Sequence, residues 1–299
     1  MGKIQDALEK LREVDQREGH QRSRAPLPES MKRRADVQQP AERPLQAEES
    51  PVFQLKETIE VDQARLREFG MIRDGASSDD VRQQFQGIKR PILNIAFGSI
   101  GASIEHSNVI MFASAMPGSG KSFCSLNLAR SISRERDYGV VLIDADVRKP
   151  NISRAFGIED RPGLIDYLLD PNVSLRDIAI GTDLHDIIVI PSGQQHEEAA
   201  ELLASKRMQE FVQLVSRRFE DYAILVDAPP LLLTNEAQEL AARVGQIVLV
   251  IEAGVSTQDS VLKAAEMLNR EKPINVILNK ARGTSAGYYG SAYKEQPYP

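Results

Sequence analysis

A glycine-rich segment between an apolar run and a helical pattern carries the residues best suited to chemistry. Residues 109–112 are apolar, residues 114–120 are mostly small, and Lys121 and Ser122 follow directly. A strand, a glycine loop, Lys-Ser and a helix together form the context of a phosphate-binding P-loop. Glycines let backbone N–H groups converge on a phosphate, and the helix N-terminus adds partial positive charge. The spacing predicts that Lys121 reaches the β- and γ-phosphates and that Ser122 ligates Mg²⁺.

The loop departs from the strict P-loop pattern at one position. That pattern has glycine at position 115, where this sequence has alanine, and Pro117 and Gly118 lie inside the loop. The alternative interpretation is an ordinary strand–turn–helix connection that binds nothing. The expected nucleotide contacts are Pro117, Gly118, Ser119, Gly120, Lys121, Ser122, Phe123 and Asn279.

Three aspartates follow two further apolar runs. Asp144 and Asp146 come after residues 140–143, and Asp227 comes after residues 223–226. In an open parallel sheet, ligands bind beyond the carboxyl ends of the strands, so these carboxylates should converge on the P-loop. A turn or helix-capping role would explain any one of them. Three at strand ends in one P-loop sheet instead favour a metal site.

The roles of these polar residues follow from phosphoryl-transfer chemistry. Asp227 occupies the position that holds Mg²⁺, and one aspartate of the Asp-x-Asp-x-Arg segment can accept a proton from an attacking hydroxyl. Arg148 can neutralise phosphate charge. We therefore predict Ser122, Asp144, Asp146 and Asp227 as metal ligands, and Lys121, Asp144, Asp146 and Arg148 as catalytic residues.

A second pattern concerns the nucleotide base. Asn279 and Lys280 end the last apolar run, as in the base-reading Asn-Lys-x-Asp of GTPases, but Arg282 stands where the aspartate would pair with guanine. We therefore expect adenine, and ATP with Mg²⁺ as the bound species.

Apolar runs alternating with helical patterns must position these residues. The predicted strands are residues 109–112, 140–143, 187–190, 223–226, 247–251 and 274–278. Helical patterns cover about 197–217 and 257–270, and shorter ones cover 61–69 and 81–88, the latter stopped by Pro91. Fully apolar strands alternating with helices predict an α/β fold, a P-loop NTPase-like parallel sheet covered by helices on both faces.

Composition limits the class of protein. The chain has 299 residues, a formal net charge of −6 and one cysteine, Cys124. The charge gives no support to nucleic-acid binding, and a single cysteine excludes a disulfide framework and fits a reducing compartment. No apolar run approaches the ~20 residues that span a bilayer.

The two ends differ from the middle. We predict an amphipathic helix over residues 1–18, a disordered Pro-rich linker over 19–56, the P-loop domain over 57–281 and a flexible tail over 282–299. The helix either docks on a protein partner or is a weakly stable surface helix. The tail displays Tyr288, Tyr289, Tyr293 and Tyr298, which are either substrates of the ATP site or part of a sticky disordered segment.

The combination resembles the bacterial tyrosine kinases (BY-kinases) of exopolysaccharide synthesis. The resemblance rests on residues 114–122, 143–148 and 226–230 and on the tyrosine tail, and the N-terminal region is similar to the exosortase-associated subgroup. It departs at Ser119, where glutamate is usual. It also departs at Gln83, Gln86 and Lys89, where family members often carry a ring-forming Glu-x-x-Arg-x-x-Arg element, unless the register shifts so that Arg82 serves.

This resemblance implies ATP-dependent autophosphorylation of the tail tyrosines within a homo-oligomer. It also implies activation by a membrane chain-length (co-polymerase) protein, and so a cytoplasmic protein held peripherally at the inner membrane. Two alternatives are a partition or positioning ATPase, whose signature lysine is replaced by Met116, and a non-catalytic nucleotide-gated scaffold.

Overall fold

The computed structural model of the protein describes residues 53–72, 79–269 and 271–281. The predicted helix over residues 1–18, the predicted linker up to residue 52 and the tyrosine tail over residues 282–299 lie outside the described residues. All of the predicted sheet lies within them.

The described residues form one eight-stranded sheet in the order β1-β4-β5-β3-β6-β2-β7-β8. Neighbouring strands are parallel except β4 and β5, which are antiparallel. The six predicted strands are confirmed, and two short strands, β1 and β4, were not predicted. The strands are β1 Thr58–Ile59, β2 Val109–Ala113, β3 Gly139–Asp144, β4 Ile180–Thr182, β5 Ile187–Ile190, β6 Tyr222–Asp227, β7 Gln246–Glu252 and β8 Ile274–Asn279.

Helices cover both faces of this sheet, as predicted, because the central strands are apolar on both sides. Side chains of β2, β3 and β6 alternate between two separate hydrophobic cores, one under each layer of helices. Helices α1 to α4 pack on one face and α5 to α10 on the other. The described helices are α1 Gln63–Glu68, α2 Asp79–Phe97, α3 Lys121–Ile132, α4 Asn151–Phe156, α5 Leu164–Leu169, α6 Leu175–Ile178, α7 Ala199–Ala204, α8 Lys206–Arg218, α9 Asn235–Arg243 and α10 Gln258–Glu266.

The prediction that Pro91 stops its helix was wrong. Helix α2 continues through Pro91 to Phe97. Proline removes one hydrogen bond, to the carbonyl of Gly87, and its ring crowds that carbonyl. Gly87 and Pro91 are both exposed, whereas Ile92 is fully buried, so burial of the apolar face holds the helix together across the defect.

The prediction of one long helix over residues 197–217 was also wrong. The chain breaks at Ser205, whose φ of −72° and ψ of 164° are extended, between α7 and α8. The Ser205 hydroxyl accepts a hydrogen bond from the N–H of Met208 and so caps α8. A serine that caps a helix competes with the helix running through it, which explains the break. The last helix, predicted to residue 270, ends at Glu266.

Two residues before the expected domain boundary at residue 57 pack on the core. Phe53 packs edge-on against Phe219, with ring centroids 5.0 Å apart, and Leu55 contacts the same core. Asp62 then caps α1 by accepting from the N–H of Ala64 at 2.8 Å. No helix in the described residues combines the length and the apolar character that crossing a membrane requires.

Candidate nucleotide site

The predicted phosphate loop connects β2 to α3 at the carboxyl edge of the sheet. Strand β2 is fully buried, and α3 begins at Lys121. Gly118 and Gly120 have φ of 84° and 93°, values that side chains rarely adopt. A Cβ on Gly120 would also lie 2.1 Å from the Asn279 amide nitrogen. Glycine is therefore required at position 120 for both conformation and space.

Serine side chains hold the loop closed. The hydroxyls of Ser114 and Ser119 both donate to the carbonyl of Met116, at 2.8 and 3.1 Å. The buried Lys121 ammonium donates to the Ser114 hydroxyl at 3.3 Å. The Ser119 side chain, at the position where the family that this sequence resembles has glutamate, therefore forms a hydrogen bond within the loop.

Phe123 and Pro117 complete the predicted loop contacts. The Phe123 ring packs against Gly70 and lies 6.1 Å from the Phe85 ring, so it serves packing. The N–H of Cys124 donates to the carbonyl of Gly120, whereas the preceding N–H groups of α3 lie in its first turn. N–H groups of a first turn have no intrahelical acceptor and suit an anion. A contact from Phe123 would thus use its backbone, and contacts from it and from Pro117 remain predictions.

Strand register brings two of the aspartates together. Asp144 ends β3 and Asp227 ends β6, and the two are direct partners across the parallel pair. The Ser122 hydroxyl donates to Asp227 Oδ2 at 2.5 Å. The Asn151 side chain in turn donates to the Ser122 hydroxyl at 3.2 Å. The predicted Ser122–Asp227 pair is therefore in contact, and Asn151 is an addition that the sequence did not indicate.

Asp144 is held by a residue that sequence reasoning missed. Both the N–H and the hydroxyl of Ser153 donate to Asp144 Oδ2 at 2.8 Å. The Ser153 hydroxyl also accepts from the N–H of Ser192 at 3.0 Å. No spacing rule links residues 144 and 153, but a serine in the first turn of a helix that follows Asp-x-Asp could have been tested as a partner. This network fixes the orientation of Asp144.

Burial shapes the ionisation of these carboxyls. Desolvation raises the pKa of Asp227 to about 6, opposed by the nearby Lys121 charge and the Ser122 hydrogen bond. Desolvation and then the charge of Asp227 raise the pKa of Asp144 well above its usual range. Burial raises the pKa of Asp146 less strongly against the Lys121 charge. Burial therefore disfavours the ionised form of all three carboxyl groups, most strongly at Asp144.

Buried carboxylate oxygens without hydrogen-bond partners indicate which ligand the site could bind. Within the described ranges, Asp144 Oδ1 and Asp227 Oδ1 are buried and accept no hydrogen bond. Such oxygens, next to a serine hydroxyl, are the ligand type that Mg²⁺ prefers. Those ranges contain no cluster of three or more His, Cys, Asp or Glu side chains suited to a metal. Mg²⁺ beside a nucleotide needs no such cluster, because phosphates and water supply its other ligands. The residues present fit Mg²⁺.

Asp146 and Arg148 lie beyond the end of β3. Asp146 Oδ1 accepts from the N–H of Lys149 at 3.2 Å, and its side chain faces an open cavity. Arg148 is exposed and lines the same cavity. Asp146 is 9% exposed and lies near the other aspartates, whereas Asp144 is fully buried.

Asn279 and Lys280 contact the phosphate loop directly. The Asn279 amide donates to the carbonyl of Ser119 at 2.9 Å. The Lys280 ammonium donates to the carbonyl of Gly118 at 2.8 Å and to Glu252 Oε1 at 2.9 Å. These two residues brace the loop, and base reading by Asn279 remains a prediction. The four candidate acceptors, Tyr288, Tyr289, Tyr293 and Tyr298, lie outside the described residues.

The sheet, the loop and the strand-end aspartates define a class of nucleotide-binding protein. Residues 110–296 match the family model described as the CobQ/CobB/MinD/ParA nucleotide binding domain. The chain therefore has the P-loop fold of that class.

Comparison with individual proteins identifies the family more narrowly. The tyrosine-protein kinase YwqD of Bacillus subtilis (strain 168) is 32% identical over 203 residues, which cover 66% of this chain and 83% of YwqD. The tyrosine-protein kinase ptk of Acinetobacter johnsonii is 30% identical over 218 residues, 71% of this chain but 28% of ptk. The crystal structure of the VpsO kinase domain is 26% identical with a TM-score of 0.55, covering 69% of this chain and all of that domain. The chain belongs to the bacterial tyrosine-protein kinase family.

Proposed function

We propose that the protein is an ATP-dependent tyrosine kinase that phosphorylates its own C-terminal tyrosines. One arrangement carries the proposal: Ser122 and Asp227 in contact beside the buried Oδ1 atoms of Asp144 and Asp227. This set of oxygens suits Mg²⁺ and nucleotide phosphates together. The relatives that are named tyrosine kinases support phosphoryl transfer to tyrosine, and the expected acceptors are Tyr288, Tyr289, Tyr293 and Tyr298.

Each residue contributes a separate part of the chemistry. Ser122 and Asp227 would hold Mg²⁺, with Asp144 beside them, and the ion would supply charge stabilisation at the phosphates. Lys121 would move from Ser114 to the β- and γ-phosphates. The phenolic oxygen forms a bond to the γ-phosphorus, the bond from that phosphorus to the β–γ bridging oxygen breaks, and ADP leaves.

The phenolic proton must pass to a base that the tyrosine side chain can reach. Asp144 is fully buried, and its Oδ2 already takes two hydrogen bonds from Ser153. Asp146 lines a cavity and is 9% exposed, so it is the better placed carboxylate, because proton transfer requires hydrogen-bond distance. Arg148 beside it would offset charge on the transferred group.

The cellular role follows from the resemblance of the sequence motifs. We propose that the kinase regulates exopolysaccharide synthesis or export together with a membrane chain-length (co-polymerase) protein. The protein would then lie in the cytoplasm, at the inner membrane through that partner, and assemble into a homo-oligomer. Membership of the exosortase-associated subgroup is part of the same proposal.

Purified full-length protein incubated with ATP and Mg²⁺ tests the kinase function. Mass spectrometry should find phosphotyrosine in residues 282–299, and Lys121→Met should abolish it. Lys263→Met is a matched control, since Lys263 is exposed and pairs with Asp259 on the same helix. Transfer that persists in Lys121→Met would refute the site.

The same experiment separates the alternatives. ATP hydrolysis without phosphotyrosine, with and without the membrane partner, would favour a partition or positioning ATPase. Nucleotide binding with neither reaction would favour a nucleotide-gated scaffold.

A further inference from the structure

Helix α4 contacts the nucleotide site through two side chains near its N-terminal end. Asn151 donates to the Ser122 hydroxyl, and Ser153 donates to Asp144 with both its N–H and its hydroxyl. The helix has six residues and is therefore about 9 Å long, at ~1.5 Å per residue. A helix this short moves as one unit, so whatever holds its C-terminal end also affects these contacts.

Arg65 of helix α1 holds the C-terminal end of α4. Its Nε donates to the carbonyl of Arg154 at 2.6 Å, and its Nη2 donates to Glu159 Oε1 at 2.6 Å. The carbonyl of Arg154 lies in the last turn of α4, where carbonyls have no donor inside the helix and a cation favours the helix dipole. The guanidinium also lies close to the turn that ends the helix, because a Cβ on Gly157 would be 3.3 Å from Arg65 Nη1.

Apolar packing holds the two helices together independently of Arg65. Leu66, the next residue of α1, is fully buried in the same hydrophobic core as Ile152, Ala155 and Phe156 of α4. Loss of the Arg65 side chain therefore leaves α4 folded and in place. What it removes is the pair of hydrogen bonds that fixes the position of the C-terminal end.

We propose that Arg65 is a positioning residue for the Mg²⁺ ligands of the nucleotide site and acts through α4. Arg65 holds the C-terminal end of the helix. At the other end, Ser153 orients Asp144, and Asn151 orients Ser122. The inference rests on the proposed role of Asp144 and Ser122 in holding Mg²⁺, but it requires no phosphoryl transfer.

The test is a Mg²⁺ titration of nucleotide binding by full-length protein, read with a fluorescent non-hydrolysable ATP analogue. Groups that hydrogen-bond to a metal ligand usually change metal affinity by ~10–100-fold, and Arg65 acts one step further away. We therefore expect Arg65→Ala to raise the Mg²⁺ concentration for half-maximal binding by about three- to tenfold. Binding of the analogue in EDTA should stay within about twofold of wild type, because Arg65 does not contact the phosphate loop.

Arg161→Ala is the matched control. Arg161 pairs with Glu57 at 2.7 Å, and this ion pair resembles that of Arg65 with Glu159 in length and exposure. Both pairs join the chain before Leu66 to the chain after α4, but the Arg161 side chain donates to Glu57 and not to a carbonyl of the helix. Its Mg²⁺ midpoint should stay within about twofold of wild type, and melting temperatures verify that both variants fold.

A double variant tests the route through α4. Ser153→Ala removes the hydroxyl that links the helix to Asp144. If Arg65 acts through this contact, Arg65→Ala combined with Ser153→Ala should lose at least twofold less Mg²⁺ affinity than the product of the two single losses. A loss equal to that product would show that Arg65 acts independently of Ser153 and would overturn the proposal.

The remaining outcomes separate this inference from the kinase proposal. If wild-type protein transfers no phosphate yet its Mg²⁺ titrations show the expected pattern, the kinase proposal fails and the role of Arg65 stands. Equal Mg²⁺ midpoints for Arg65→Ala and Arg161→Ala overturn the role of Arg65 and leave the kinase proposal intact. Nucleotide affinity that does not depend on Mg²⁺ in the wild type also overturns it, because there would be no Mg²⁺ ligands to position.

Discussion

At the residue scale, two buried carboxyl groups lie side by side with one oxygen each left without a hydrogen bond. Asp144 and Asp227 are direct partners across β3 and β6, and both are fully buried. An ionised carboxylate without compensation is costly in a protein interior, so the unliganded fold bears a penalty there. A bound cation would remove the penalty, which links nucleotide–metal binding to stability.

The first prediction concerns Asp227→Asn and pH. The folded-state pKa of about 6 exceeds the ordinary 3.8, so the neutral carboxyl favours folding. That stability is fully present below about pH 4 and is lost as pH rises through about 6. Without nucleotide, Asp227→Asn should be more stable than wild type at pH 7 by about 1–3 kcal/mol, and the difference should shrink at pH 5. Chemical denaturation at both values measures it.

Mg²⁺ with nucleotide supplies the control for that prediction. Wild-type protein should gain stability when both are added at pH 7, whereas Asp227→Asn should gain much less. A variant that is less stable than wild type at pH 7 without ligand would contradict the argued cost of ionised Asp227.

Much of the site could be predicted at this scale because its residues follow local rules. Lys121 and Ser122 lie within a contiguous motif, and Asp144 and Asp227 directly follow apolar strands. Ser153 and Asn151 could not be predicted, because their roles depend on where α4 packs after a turn. Local sequence spacing therefore identifies the expected phosphate and metal ligands. The residues that orient those ligands by hydrogen bonds depend on tertiary packing.

At the element scale, the strands were predictable and some helix limits were not. Five of the six predicted strands are apolar runs that are buried along most of their length, and the sixth, β8, is an edge strand with exposed Val276 and Leu278. An apolar run is a signal that does not depend on context. Strands β1 and β4 are only two and three residues long. They are recognisable only from their backbone hydrogen bonds to neighbouring strands, which the sequence does not show. Pro91 and Ser205 mislead in opposite directions. In α2, burial of Ile92 keeps the helix intact across Pro91. At Ser205, the helix-capping hydrogen bond ends a helix that the sequence pattern predicts to continue.

The second prediction is that Pro91→Ala stabilises α2. Alanine restores the N–H that can donate to Gly87, and a proline inside a helix costs ~3 kcal/mol. The more flexible unfolded chain offsets ~0.5–1 kcal/mol of the gain. We expect a net gain of about 2 kcal/mol, or about 4–8 °C in melting temperature.

The neighbouring Arg90→Ala serves as the control for Pro91→Ala. Arg90 is also exposed on α2, and its replacement leaves the backbone unchanged, so stability should stay within ~0.5 kcal/mol. An unchanged or lower melting temperature for Pro91→Ala would mean that packing requires the proline geometry.

At the scale of the whole molecule, Phe53 packs on the core although it precedes the boundary predicted at residue 57. The guanidinium of Arg218 lies 5.3 Å from the Phe53 ring centroid, and Phe53 also contacts Phe219. The sequence placed this boundary at residue 57 because residues 19–56 are rich in proline and polar residues. An isolated Phe-x-Leu at the end of such a segment carries no periodicity, so only the core it packs on identifies it.

The third prediction compares three truncated chains. A chain beginning at Val52 should melt at the same temperature as a chain beginning at Pro51, because both keep Phe53 and Leu55. A chain beginning at Glu57 loses both side chains and an aromatic pair, and should be less stable by about 2–4 kcal/mol. Thermal unfolding without nucleotide measures the difference. Equal melting temperatures for the Val52 and Glu57 chains would show that Phe53 contributes nothing.

The bracing of the phosphate loop by Asn279 and Lys280 has a consequence for the order of folding. These hydrogen bonds join residues 160 and 162 positions apart in the chain. Contacts of such long range form late, and during synthesis the C-terminal partner leaves the ribosome long after the loop itself. The phosphate loop, encoded in the middle of the chain, therefore acquires its final support only when the last strand arrives. A nascent chain that stops short of β8 has the binding motif but not its brace, so synthesis through Lys280 precedes a fully braced nucleotide site.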